Sequence, residues 1–261
     1  MTSAITGTDD AYVTNPARSS MIFHAVPGLY FYTRMLGTVA RASRKARKKR
    51  FDKDEWIKSS LDIIRFLETV DCRFFVDGKK NFIDLEQPCV FVANHMSTLE
   101  TFALAAIVRP HRPVTFVVKD SLVRYPVFKH IMLSRDPVVV FRKNPRQDFK
   151  TVMDEGTDRL SRGISVVVFP QSTRSRTVDP EKFNSMGVKL ARKAGVPLVP
   201  LALKTDAWDS GWLFKDFGRI RPERFIHFSF GRPLKVEGSG KEEHGRVLDF
   251  VLNRLEKWNK S

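Results

Sequence analysis

Apolar residues follow two different rhythms along this chain. Short continuous runs at 89–93, 114–118, 137–141, 164–169, 198–203 and 225–230 read as buried strands. Between many of them lie stretches with helical spacing, at 98–108, 121–133, 146–161, 184–194 and 244–258. Strands alternating with helices predict an α/β fold with a largely parallel central sheet and helices on both faces. The run at 198–203 contains Pro200, which predicts an edge position, a bulge or a bend for that strand. Upstream, Trp56, Ile57, Leu61, Ile64 and Leu67 give residues 51–70 a helical period, and residues 73–84 read as a hairpin around Asp77-Gly78.

The N-terminal part has a different texture. Residues 1–18 read as a disordered tail, and the polar, acidic stretch 1–15 has no basic n-region, so no signal peptide is expected. Residues 19–40 carry Phe23, Leu29, Tyr30, Phe31, Tyr32 and Leu36, interrupted by His24, Pro27, Gly28 and Arg34, too broken for a membrane span. A basic run follows, from Arg41 to Arg50. Aromatic and apolar residues beside a cationic cluster are how an interfacial membrane anchor reads, each cation adding about 1 kcal/mol at an anionic surface. The expected organisation is a tail at 1–18, a helical membrane-associating segment at 19–70 and one catalytic-size α/β domain at 71–261.

Charge narrows the partners. Forty-five Lys and Arg against 29 Asp and Glu leave a net charge of +16, which suits an anionic membrane, phosphorylated substrates or nucleic acid. No nucleic-acid motif is legible and the basic residues are spread over several loops, so nucleic acid is disfavoured. Cys72 and Cys89 form neither a disulfide framework nor a metal-ligand spacing, and no metal site is expected.

Candidate chemistry concentrates where strands end. The run 89–93 stops at Asn94-His95, and a helical pattern starts at Ser97. Histidine suits proton transfer near neutral pH, and Glu100, five residues on, could orient its imidazole. The same residues also spell a capping box, with Ser97 as N-cap and Glu100 at N3. A second strand, 165–169, runs into Pro170-Gln171-Ser172-Thr173-Arg174-Ser175, whose hydroxyls, amide and guanidinium are suited to an anion such as phosphate. Lys119 and Arg142 each follow another strand. If these strands are parallel, all these groups share one rim, where ligands bind in α/β folds.

Four ordered motifs then resemble those of the PlsC-like glycerolipid acyltransferases. They are Asn94-His95-x4-Glu100, Phe141-Arg142, Phe169-Pro170-Gln171-Ser172-Thr173-Arg174-Ser175 and Val196-Pro197-Leu198-Val199-Pro200-Leu201, in order across residues 85–235. The departures are Glu100 for the family's Asp, and Gln171-Ser172 for its Glu-Gly. The resemblance implies a glycerol-3-phosphate acyltransferase-like sheet, an N-terminal membrane-binding element and acyl transfer from acyl-CoA or acyl-carrier protein to a lyso-glycerolipid hydroxyl. The default acceptor is 1-acyl-sn-glycerol-3-phosphate; another lysophospholipid or a lyso-lipid without phosphate stays open.

On that resemblance His95 is the base and Glu100 its orienter. Arg174 holds the acceptor phosphate, with Lys119, Arg142, Gln171, Ser172, Thr173 and Ser175 as further substrate contacts. Backbone N–H groups near Ser97 or Thr173 are candidates for the oxyanion. The thioester is a co-substrate, and no other cofactor is expected. The expected location is peripheral, on the cytoplasmic face of the inner membrane if the source is bacterial. Phe141 and residues 102–108 are candidate acyl-channel walls, or simply core. A different class of reading is a basic membrane- or nucleic-acid-binding protein that has lost activity.

Overall fold

A computed structural model describes residues 4–15, 26–171, 173–211 and 216–260. Among the described residues eight strands form one sheet: β1 (Tyr12–Val13), β2 (Phe74–Asp77), β3 (Val90–Ala93), β4 (Val114–Lys119), β5 (Val138–Val140), β6 (Ser165–Val168), β7 (Leu198–Lys204) and β8 (Ile226–Phe230). Their spatial order is β1-β2-β8-β7-β3-β6-β4-β5. The five strands β7, β3, β6, β4 and β5 run parallel to one another, whereas β8 is antiparallel to β7. Five C-terminal strand ends therefore share one rim, as the α/β pattern predicts.

The two-residue period of a strand splits the core in two. Phe91, Ala93, Val167, Val199 and Leu201 pack into a core with Phe31, Met35, Ile63, Leu67 and Leu104. These come from α1 (Pro27–Arg47), α2 (Lys53–Thr69) and α4 (Leu99–Val108). Val90, Val92, Val166, Val168 and Leu198 pack on the opposite face with Val152, Leu160, Val188 and Val247. Those residues belong to α7 (Pro145–Ser161), α8 (Met186–Ala194) and α9 (Lys241–Lys260). Local signals explain the ends: Asp52 caps α2 through Glu55 N at 2.9 Å, and Asn144 with Pro145 starts α7.

Four expectations are corrected. The segment 73–84 is no hairpin: β2 pairs parallel with β8, and the chain turns at Gly78 into α3 (Lys80–Ile83). Gly78 has φ +74° and lies against Phe230 O, which Asn81 Nδ2 also bonds at 2.8 Å. A Cβ at Gly78 would stand 2.1 Å from that oxygen, so glycine serves a close backbone approach rather than a two-residue turn.

The stretch 121–133 is not one helix but α5 (Asp120–Arg124) and α6 (Lys129–Leu133). Pro126 holds Tyr125 extended, with ψ 119°. Pro200 does not mark an edge. It lies inside the sheet, opposite Val92 on β3, at the first rung beside β8, where its carbonyl accepts from Gly231 N at 2.8 Å.

The fourth correction concerns the tail. Of 1–18, the described part 4–15 is packed rather than disordered. Tyr12 and Thr14 donate to the buried Glu68 of α2, and Lys79 Nζ donates to Gly7 O at 2.6 Å. Of the segment 19–40, residues 19–25 lie outside the described residues. The rest continues unbroken into the basic run as α1, where Arg41 pairs with Asp62 at 2.5 Å and Lys45 with Glu55 at 2.6 Å on α2. Among the described residues no helix is long and apolar enough to cross a membrane.

Candidate active site

The site grows from the end of β3. Asn94 is buried and locks that end to β7, donating through Nδ2 to Leu203 O and accepting from Leu203 N, both at 2.8 Å. The next residue, His95, clears the sheet. Its ring stacks on Phe169, at the end of β6, with centroids 4.4 Å apart and planes at 23°. Its backbone is pinned on both sides: His95 N donates to Gln171 Oε1 at 3.0 Å, and Ser175 N donates to His95 O at 2.9 Å.

The predicted capping box forms only in part, because Thr98 and not Ser97 precedes the first turn of α4 and makes no side-chain cap bond, while Glu100 keeps its share and also faces the histidine. The Glu100 side chain is wholly buried, and each oxygen has its own task. Oε2 accepts from His95 Nδ1 at 2.5 Å. Oε1 accepts from Met96 N at 2.6 Å, Ser97 N at 2.9 Å and Thr205 Oγ1 at 2.7 Å. One carboxylate thus closes the turn and orients the histidine. With Nδ1 committed, Nε2 is the ring nitrogen left for chemistry, and the His95 side chain keeps 18% of its surface exposed. Ser97 N, a candidate oxyanion donor, is spent on Glu100.

The predicted residues sort into two groups. Gln171, Arg174 and Ser175 sit against the dyad or the start of α4. Gln171 is buried, and its amide spans His95 N and Thr177 O, so it braces the loop. Arg174 Nη1 donates to Thr98 Oγ1 and to Asp216 Oδ1, the latter at 2.7 Å. Thr173 is exposed on the same loop, and Ser172 lies outside the described residues.

Lys119 and Arg142 form the second group. Lys119 ends β4 and Arg142 follows β5, two and three strands from β3, or about 10 and 14 Å along the sheet. Both are exposed there and neither is bonded to the dyad. Arg142 holds φ +58°, a left-handed conformation fixed by Asp148, which accepts from Phe141 N and Arg142 N at 2.9 and 2.8 Å. Phe141 is 47% exposed, whereas residues 103–108 are fully buried core.

Sequence reading missed Phe169 as the ring's platform, Thr205 as the donor to Glu100, and Thr98, Asp209 and Asp216 around the arginines. Phe169 and Thr205 both follow parallel strands that flank β3, a position that could have flagged them. Asp209 takes Arg176 at 2.5 Å and Arg221 at 3.1 Å. Desolvation acts to raise its carboxyl pKa, but the bonds from these two arginines outweigh it and hold it below the ordinary value.

Comparison with known proteins points the same way. The family model described as Acyltransferase matches residues 73–204. A 1-acyl-sn-glycerol-3-phosphate acyltransferase of Pseudomonas aeruginosa is 28% identical over 80% of this chain and 75% of its own length. One from Chlamydomonas reinhardtii is 32% identical, over 48% of this chain and 37% of its own length. In fold, the chain matches the crystal structure of the 1-acyl-sn-glycerophosphate (LPA) acyltransferase PlsC from Thermotoga maritima. The TM-score is 0.68, at 20% identity, over 92% of this chain and 98% of that one.

Proposed function

Because the chain belongs to the acyltransferase family, we propose that it transfers a fatty acyl group from a thioester to the free hydroxyl of 1-acyl-sn-glycerol-3-phosphate, giving phosphatidic acid. The observation that carries this reading is the His95 Nδ1–Glu100 Oε2 bond, made by a buried carboxylate to a ring that still reaches solvent. The names of the relatives support the acceptor. The donor is acyl-CoA or acyl-carrier protein.

The step is direct. His95 Nε2 takes the acceptor's hydroxyl proton as that oxygen bonds to the thioester carbonyl carbon. The C–S bond then breaks, and the same nitrogen returns the proton to the leaving thiolate. Glu100 holds the tautomer and stabilises the imidazolium. Arg174 receives the acceptor phosphate, with Lys119 and Arg142 farther along the rim as contacts for a larger ligand. Base assistance of this kind contributes about 10²–10⁴-fold.

The enzyme works as a peripheral protein at an anionic membrane face. Leu29 and Leu36 of α1 are 66% and 50% exposed, on a helix whose last turn carries Arg44, Lys45 and Arg47. Thiol release from oleoyl-CoA with a panel of lyso-lipids in mixed micelles tests the reaction. His95→Ala should abolish release and Glu100→Gln should lower kcat about 10²-fold or more. Undiminished turnover in His95→Ala would overturn the mechanism.

A further inference from the structure

Arg174 is already occupied. After β7 the described residues 205–211 and 216–221 form an excursion from the sheet, its stem closed by Asp209 N to Arg219 O at 3.1 Å and Arg221 N to Ala207 O at 2.8 Å. Two aspartates of this excursion sit on two arginines of the loop after β6: Asp209 on Arg176 and Asp216 on Arg174. Asp216 Oδ1 also accepts from Thr98 Oγ1 at 2.7 Å, two residues before Glu100.

The position of Asp216 is built. Trp208 Nε1 donates to Asp216 O at 3.2 Å, and Tyr32 of α1 donates to Gly218 O. Trp208 is itself buried between Phe31 and Phe102, with ring centroids 4.7 and 6.0 Å away. Gly218 approaches the stem so closely that a Cβ would stand 1.9 Å from Asp209 O. Two helices of the core face thus aim one carboxylate at the Arg174 guanidinium.

We infer that Asp216 is a built-in, displaceable occupant of the acceptor's anion site, which makes it a specificity residue for phosphate-bearing acceptors. This rests on the reading of Arg174 as the acceptor's cation. The pair has one oxygen on one nitrogen, and the Asp216 side chain is 51% exposed, so it is a weak interaction. A phosphomonoester brings charge near −2 and three oxygens that suit the guanidinium fork, and so displaces it. A weaker anion or a neutral headgroup does not, and the internal carboxylate then acts against it.

The test is calorimetric titration of the full chain with glycerol 3-phosphate, without donor, in wild type, Asp216→Asn, Arg174→Ala and the double variant. Asp216→Asn should tighten Kd about 2–5-fold, the range expected for loss of an exposed ion pair. The effect should vanish in the Arg174→Ala background. Lysophosphatidic acid KM should fall in parallel, with kcat changing less. Tyr32→Phe, which frees Gly218, should shift Kd the same way if Asp216→Asn does not fold.

An unchanged or weaker Kd in Asp216→Asn overturns the inference. So does an equal gain without Arg174, or no binding to either protein. Should wild type acylate no lyso-lipid while Asp216→Asn still tightens glycerol 3-phosphate, the proposed reaction falls and the anion site stands.

Discussion

Thr205 Oγ1 donates to Glu100 Oε1 at 2.7 Å, bridging the end of β7 to the start of α4 across 105 residues of sequence. Both side chains are fully buried. Thr205→Val keeps the shape and removes the donor, so a buried carboxylate oxygen loses one of three partners. The cost should be about 1–3 kcal/mol in urea unfolding, together with a fall in kcat as Glu100 loses its fixed position. Unchanged stability and kcat would show the bond to be idle.

Asn94 acts as a piece of backbone between β3 and β7. Asn94→Leu would leave Leu203 N and Leu203 O without their side-chain partner, at about 1–3 kcal/mol for each group that stays unpaired. Thermal unfolding should register the loss even where the sheet otherwise survives. A variant as stable as the parent would mean that the backbone finds other partners.

Gly187 lies at the start of α8 under the sheet. A Cβ there would meet Val92 Cγ2 at 2.5 Å, two residues before Asn94. Gly187→Ala should therefore cost about 1–3 kcal/mol by overpacking, despite alanine's better helix propensity. Any relief by moving β3 displaces His95, so kcat should fall with stability. A stabilised, fully active variant would show that the contact relaxes freely.

His227 gives the fold an acid sensitivity. Its ring stacks between Phe75 and Trp258, at 5.1 and 4.7 Å, and burial followed by Lys204 lowers its pKa to about 4. Unfolded, the imidazole titrates near 6.5. Above that pH it is neutral in both states and its contribution is fully present. As pH falls below 6.5 the unfolded chain takes the proton first, and stability is lost until about pH 4. His227→Phe should flatten this part of the pH–stability curve measured by urea unfolding. His111 and His244, also lowered chiefly by burial, would remain in both proteins. Parallel curves for variant and parent would remove His227 as the cause.

Much of the fold was legible because the patterns that carry it are local. Six apolar runs became six strands. What misled were residues whose local meaning depends on a distant partner. Gly78 reads as a turn until Phe230 O is beside it, and Pro200 reads as an edge, a bulge or a bend until β8 ends at its carbonyl. Tyr12 and Thr14 read as a tail because Glu68, which receives them, is more than fifty residues away.

The same division runs through the site. Sequence alone placed the histidine, a carboxylate within its reach and the arginine loop at two strand ends, since five-residue spacings and strand–helix junctions are set by local geometry. It could not choose between a capping and an orienting role for Glu100. Tertiary structure gives it contacts of both kinds, because the carboxylate has two oxygens and only the folded turn directs one to the backbone and the other to His95. The contacts of Thr205, Phe169 and Asp216 came with the tertiary structure. Each reaches the site from another strand end or a later excursion, and long-range packing brings together residues between which the sequence shows no periodic relation.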